Sequence, residues 1–240
     1  MKIEGRNAVA EAIRAGTTVD RLVVQKNQKD PAAQRLIEAA RQRGIKILFF
    51  DKEALDREST QKRHQGFIAE VTDFKYAELD DIFALADKTG RPPFLFLLDG
   101  VEDPHNLGSI IRVAECAGAH GIVLPRHRSV SVSETVVKVS AGAAAHVLIA
   151  KETNLNDTID ALKKRNVWVY AADMAGEPLF SANLKGACAF VIGGEGGGVK
   201  RLTKEKCDGS LAIPMRGSLN SLNAGVAAGV VAFEYVRQNT

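Results

Sequence analysis

Short runs of consecutive apolar residues alternate along the chain with stretches in which apolar positions recur every three or four residues. That rhythm marks strands buried on both faces and the helices that cover them. In the first part of the chain it predicts a helix over Asn7 to Ala15 and a strand over Arg21 to Gln25. Asp30-Pro31 then supplies an N-cap and a first-turn proline for a helix running through Arg43. A strand from Ile45 to Phe50, a short helix opened by Asp51 and a strand from Gly66 to Val71 complete a small α/β domain, assigned to residues 1–72. Residues 73–92 read as a linker with a short acidic helix, Glu78 to Asp87. It ends at Pro92-Pro93, where adjacent prolines bar helix and interior strand alike.

Residues 93–240 form the second domain. Strands are predicted at 94–98, 121–124, 146–150, 167–172, 189–193 and 210–214, with helical segments at 106–118, 134–143, 156–166, 199–206 and 222–237. Continuous apolar strands separated by amphipathic helices indicate an α/β fold with a mostly parallel sheet covered on both sides.

Composition narrows the class. Of 240 residues, 45% are apolar and 25% charged, which excludes disorder and coiled coil as descriptions of the whole. Three dispersed cysteines, Cys116, Cys188 and Cys207, make neither a disulfide scaffold nor a cysteine zinc site. The opening residues hold no apolar stretch of signal-peptide length, and the longest apolar run, Ala224 to Phe233, is far too short to span a bilayer. A cytoplasmic protein without membrane contact is expected. Net charge is only +3, but residues 1–70 carry +4 and the rest of the chain −1. Arg35, Arg41, Arg43, Lys46, Lys62 and Arg63 there fit either a solvated surface or a phosphate-tracking patch. None of the five histidines has the spacing of a metal site, so no metal is expected. His146, Trp168 and Cys116 are expected in the core.

Ligands of open α/β sheets gather at strand carboxyl ends, and three loops there exceed what a connector needs. The first runs from Asp99 through Asn106 to Arg112. Leu107, Ile110, Ile111 and Ala114 keep helical spacing, whereas Arg112 falls off that stripe. Asn106 and Arg112 suit a cap with a solvated cation, or a polar pair beside a pocket. The second, Gly193-Gly194-Glu195-Gly196-Gly197-Gly198, sets one carboxylate among five glycines. It lacks the Lys-Ser/Thr of a phosphate loop and fails G-x-G-x-x-G, because the third glycine position is Val199. The third, Met215 to Asn223, leads into a helix of small residues suited to a tight core or to a helix–helix interface between subunits. Ser221 and Asn223 there make good caps.

Together these loops resemble the three motifs of the SpoU–TrmH family of RNA 2'-O-methyltransferases, within the SPOUT superfamily. Asn106 to Arg112 with Ala114 and Gly118 resembles the first motif, Gly193 to Gly198 the second, and Ile213-Pro214-Met215 with Ser221-Leu222-Asn223 the third. Gly5-Arg6-Asn7-Ala8-Val9, His64-Gln65-Gly66 and the ending Phe233 to Gln238 resemble the branch that modifies guanosine in 23S ribosomal RNA. The resemblance covers nearly the whole chain. It implies a catalytic α/β domain with a deep trefoil knot and a small RNA-binding domain like ribosomal protein L30e. It also implies S-adenosylmethionine as methyl donor, a homodimer, and a ribosomal RNA substrate, free or in a pre-ribosomal particle. By the same resemblance Arg112, Asn106, Glu195, Asn223 and Ser221 carry catalysis. Gly193, Gly196, Ile213, Met215 and Leu222 hold the cofactor. Transfer RNA as substrate and a non-catalytic assembly factor are the rival readings.

Overall fold

Alternation along the first strands decides how the N-terminal residues fold. The computed structural model describes residues 2–15, 17–60, 62–72 and 74–240, and the chain divides into two units, Met1–Lys75 and Tyr76–Thr240. The first contains β1 (Lys2–Glu4), α1 (Arg6–Arg14), β2 (Thr18–Gln25), α2 (Pro31–Gln42), β3 (Lys46–Phe50), α3 (Lys52–Glu58) and β4 (Phe67–Thr72). The sheet order is β1-β4-β2-β3; β4 runs antiparallel to both neighbours and β2 parallel to β3. Leu22 and Val24 of β2 pack with Val9 and Ile13 of α1 and Leu36 and Ile37 of α2. Val23, one residue out of phase, meets Leu55 of α3 and Ile68. The period of two thus divides the helices between the faces. Asp30 caps α2, accepting from Ala32 N at 3.3 Å. His64 is buried, bonds Asp56 at 2.8 Å through Nε2, and accepts from Gly66 N at 3.0 Å. Gln65 and Gly66 beside it have φ of 48° and 81°, so His64-Gln65-Gly66 forms the turn that delivers the chain into β4.

The second unit contains α4 (Leu79–Thr89), β5 (Phe94–Asp99), α5 (Pro104–Cys116), β6 (Gly121–Pro125), α6 (Glu134–Val139), β7 (Leu148–Glu152), α7 (Leu155–Lys164), β8 (Trp168–Pro178), β9 (Cys188–Gly193), α8 (Arg201–Lys206), β10 (Gly209–Ala212) and α9 (Ala224–Asn239). The helix of the expected linker stretch, α4, packs here: Ile82 is fully buried and Ala77 bridges Ala150. All six strands are parallel, in the order β10-β8-β9-β5-β6-β7. Leu95 and Leu97 of β5 join a core with Ile159, Leu162 and Val191. On the other face Phe94 stacks on Tyr235 of α9 with ring centroids 4.1 Å apart, and meets Phe190 edge-on at 5.9 Å.

Helices α5 and α9 pack closely because their contact residues are small. A Cβ on Gly225 would lie 2.7 Å from that of Ser109, so only glycine fits. This assigns the buried small residues of α9 to packing within the chain. Three expectations are corrected. Trp168 is 57% exposed, at the start of β8 before β10 begins to pair with it at Tyr170. Cys116 is exposed because it ends α5 on the face away from the sheet. His146 is exposed because the predicted strand begins later, at Leu148, and His146 instead terminates a single 3-10 turn. Among the described residues no helix is long and apolar enough to cross a membrane.

Candidate active site

The strand order reverses direction between β5 and β9, and that is where the polar residues meet. Asp99 and Gly193, the last residues of these strands, are paired in register. Loops that leave a parallel sheet at such a switch point diverge and open a crevice. The loop after β5 ends in Asp103, which caps α5 by accepting from His105 N at 2.6 Å, with Pro104 in the first turn. This cap places Asn106 in the first turn of α5, where it is buried.

The glycine loop is fixed at both ends by Asp99. Gly194 N donates to Asp99 O at 3.0 Å. Beyond the loop, Lys200 N donates to Asp99 Oδ2 at 3.0 Å and the Lys200 ammonium pairs with Oδ1. A buried carboxylate at the end of an apolar strand requires such a cation, and the pairing of Asp99 with Lys200 across 101 positions has no local signature in the sequence. The one sequence signal is an Asp closing an otherwise continuous apolar run. Gly194 has no room for a side chain, since a Cβ would collide with the Gly100 carbonyl. Gly196 and Gly198 instead turn with φ of 79° and 60°, where glycine is favoured.

Three of the expected site residues converge. Asn106 Nδ2 donates to Glu195 Oε1 at 2.9 Å, and Asn223 Nδ2 donates to Asn106 Oδ1 at 2.6 Å and to Glu195 Oε1 at 3.4 Å. Asn223 Oδ1 meanwhile caps α9, accepting from Gly225 N at 2.9 Å and Val226 N at 3.3 Å. Only Oε1 of Glu195 is engaged among the described residues; its second oxygen is open to a ligand.

Beside this triad lies a cleft of about 580 Å³, within the ordinary range for small-molecule sites. Gly193, Gly196, Ile213, Met215, Leu222 and Ser221 all line it, together with Glu195 and Asn223. Met215 and Leu222 are 36% and 39% exposed, apolar surface at the cleft that nothing among the described residues covers. An added Cβ at Gly196, Gly197 or Gly198 meets nothing within 4 Å, so a ligand can approach the backbone there, although the Gly198 amide is itself committed to Gly194 O at 3.1 Å. Asp173, which no sequence motif marks, also lines the cleft; a hydrogen bond from Lys204 at 2.8 Å pulls its carboxyl below the usual range. Arg112 is not brought to this cleft. It is exposed on α5, lines no cavity described here, and has no hydrogen bond or ion pair among the described residues.

Apolar walls, approachable glycine backbone and one carboxylate held by two carboxamides, set at the switch point of a parallel sheet, define an α/β domain with a crevice of small-molecule size. Comparison with known proteins narrows the class. A model of the SpoU rRNA Methylase family matches residues 93–233, and one described as RNA 2'-O ribose methyltransferase substrate binding matches residues 2–77. The chain belongs to the SpoU rRNA methylase family. A relative from Bacillus subtilis (strain 168), named for the TrmH family and for tRNA/rRNA methyltransferase activity, is 43% identical over 98% of this chain and 94% of its own. A 23S rRNA (guanosine-2'-O-)-methyltransferase from Ralstonia nicotianae is 42% identical over 98% of this chain and 95% of its own. Among solved structures, an AdoMet-bound rRNA methyltransferase from Sinorhizobium meliloti matches with a TM-score of 0.61 at 26% identity, covering 98% of this chain and 86% of its own.

Proposed function

We propose that the protein methylates a ribose 2'-hydroxyl of RNA, a guanosine of 23S ribosomal RNA, with S-adenosylmethionine as donor. One observation carries the reading: Asn106, Glu195 and Asn223, separated by up to 117 positions, share hydrogen bonds at the edge of a cleft with apolar walls and glycine amides. The full-length likeness to a 23S rRNA guanosine methyltransferase supports the substrate, and such a substrate implies work in the cytoplasm. The cleft suits the donor chemically. Ile213, Met215 and Leu222 offer faces for an adenine, and Gly193 to Gly198 let a ligand approach the backbone.

The sulfonium supplies an already activated methyl carbon, so the chain's work is alignment and charge. Alignment alone can supply up to roughly 7–11 kcal/mol of a barrier. Asn106 and Asn223 lock Glu195 through one oxygen, and the other accepts the hydrogen of the 2'-hydroxyl. Arg112 stabilises the developing alkoxide and engages a phosphate; a free guanidinium with pKa above about 12 is a poor base but a durable cation. Ser221 at the cleft is a further donor.

The homodimer belongs to the same reading. Val226 and Phe233 of α9, 53% and 52% exposed, lie two turns apart on one face with half-buried Gly229 and Val230 between them. Exposed Arg112 and Cys116 stand on α5, the helix that packs with α9. A second copy seated on that face would carry Arg112 to the partner's cleft. The knot fits a C-terminal segment that lines the same cleft as the glycine loop before α9 returns against α5. The test is transfer of labelled methyl from S-adenosylmethionine to unmodified 23S transcript, followed by mapping of ribose methylation. One modified guanosine is the expected result; transfer to transfer RNA alone favours the rival substrate, and donor binding without transfer favours an assembly factor.

A further inference from the structure

A second cavity, of about 430 Å³, opens on the other side of the glycine loop and shares Gly194, Glu195, Gly197 and Gly198 with the larger cleft. Its remaining wall combines the turn after β5, Asn106, and Arg128 from the turn after β6. The two turns are tied together, for Val130 N donates to Val101 O at 3.1 Å. Arg128 itself sits in left-handed backbone with φ of 54°.

Four carboxylates and two cations line this basin, and among the described residues only Asp99 and Lys200 pair with each other. Asp99 is held by Lys200, Glu195 Oε1 by two carboxamides, and Asp103 by amides of α5. The Lys200 ammonium is committed to Asp99. Arg128 has no hydrogen bond or ion pair among the described residues, and a guanidinium cannot discharge itself. Glu102 is the other exposed charge there without such a partner, and it would repel an anion. Neutral amide donors leave the Asp103 and Glu195 carboxylates charged, so the basin is acidic as a whole and, among the described residues, Arg128 is the one uncommitted cation lining it that can draw a phosphate.

We propose that this basin receives the acceptor nucleotide and that Arg128 grips a phosphate flanking the target ribose. The inference rests on the methyltransferase reading above and adds where the acceptor lies. Donor carbon and acceptor oxygen must come within about 3–3.5 Å. The wall common to both cavities, at Glu195, is where a nucleotide on one side can meet a donor on the other. A ribonucleotide in RNA carries a phosphate on both the 3' and 5' sides of its ribose, and the fork of a guanidinium matches phosphate oxygens. Glu102 fixes which side of the basin the strand takes.

The test uses the full chain saturated with S-adenosylhomocysteine and titrated with guanosine, guanosine 3'-monophosphate and guanosine 5'-monophosphate. One monophosphate should bind about tenfold or more tightly than the nucleoside, the scale of a charged hydrogen bond. Arg128→Asn, a residue tolerated in left-handed backbone, should erase that preference while S-adenosylhomocysteine affinity stays unchanged; Arg128→Lys should retain part of it. On 23S transcript Arg128→Asn should raise KM more than it lowers kcat, and reduce the salt dependence of binding by about one phosphate contact. Wild-type protein without a phosphate preference, or Arg128→Asn with both preference and KM intact, overturns the assignment. A phosphate preference that depends on Arg128 in a protein that transfers no methyl to RNA overturns the methyltransferase reading and the acceptor role with it, and leaves only a nucleotide-phosphate contact at Arg128.

Discussion

The two units place their polar groups differently. In Met1–Lys75 ion pairs such as Lys2 with Glu58 at 2.8 Å and Arg21 with Glu70 at 2.5 Å are spread over the surface, and Arg35, Lys46 and Arg63 stand exposed beside them. In Tyr76–Thr240 a set of polar side chains meets at one sheet edge, where glycines replace side-chain bulk and a cleft opens. A four-stranded mixed sheet joined by ordinary turns offers surface charge, and a parallel sheet with a reversal in strand order offers a crevice. Affinity for a polyanion needs only the first kind of surface. Group transfer needs the second.

That division can be broken by substitution. The largest effect is expected for Arg112→Ala: methyl transfer should fall by about 10²-fold or more, the scale for losing one charge-stabilising group, with donor affinity unchanged in calorimetry. Mixed dimers of Arg112→Ala and Glu195→Ala protomers sharpen this. Recovered transfer shows that Arg112 serves the partner's cleft, and no recovery shows that it acts within its own chain. A smaller effect is expected for Arg35, Lys46 and Arg63 changed together to Ala, all exposed on the first unit. RNA binding should weaken and its logarithmic salt slope should drop by about two to three. Donor affinity should not move, and equal loss of both would erase the distinction between the units.

The smallest effect concerns a group that serves only the fold. Glu234 is buried on α9, and hydrogen bonds from the Arg237 guanidinium at 2.7 and 2.8 Å, ahead of one from Gln238, hold its carboxyl down at about 2 rather than 4.5. A depressed carboxyl stabilises the folded state fully above the unfolded value near 4.5, and that contribution is lost as pH falls through about 2. Glu234→Gln should flatten acid denaturation over that window in a circular-dichroism titration and leave kcat at neutral pH untouched.

Much of this was legible in the chain because strand and helix periods differ. The run Phe94 to Leu98 and the stripe Leu107, Ile110, Ile111 and Ala114 occupy the places their patterns predict. The glycine loop stood out by composition, and Asn106, Glu195 and Asn223 do meet. What stayed hidden depends on partners distant in sequence. Lys200 is tied to Asp99 across 101 positions. Strand β8 runs on to Pro178 because β10 pairs with it through a register shift between Ser210 and Leu211. Trp168 and Cys116 look buried by residue type, yet each stands where no neighbouring element covers it. The short strand β1 carries no apolar run and exists because β4 presents a free edge to it.

The central claim is that the backbone of the glycine loop forms one wall of the donor's cleft, and a pair of alanines tests it. Gly194→Ala puts a methyl group against the Gly100 carbonyl and must deform the loop, whereas Gly197→Ala has no positive φ and meets nothing within 4 Å. Calorimetry with S-adenosylmethionine should give one site per chain for the wild type, a loss of about tenfold or more for Gly194→Ala from overpacking of roughly 1–3 kcal/mol, and only a modest change for Gly197→Ala. Undiminished binding by a folded Gly194→Ala protein would contradict the account.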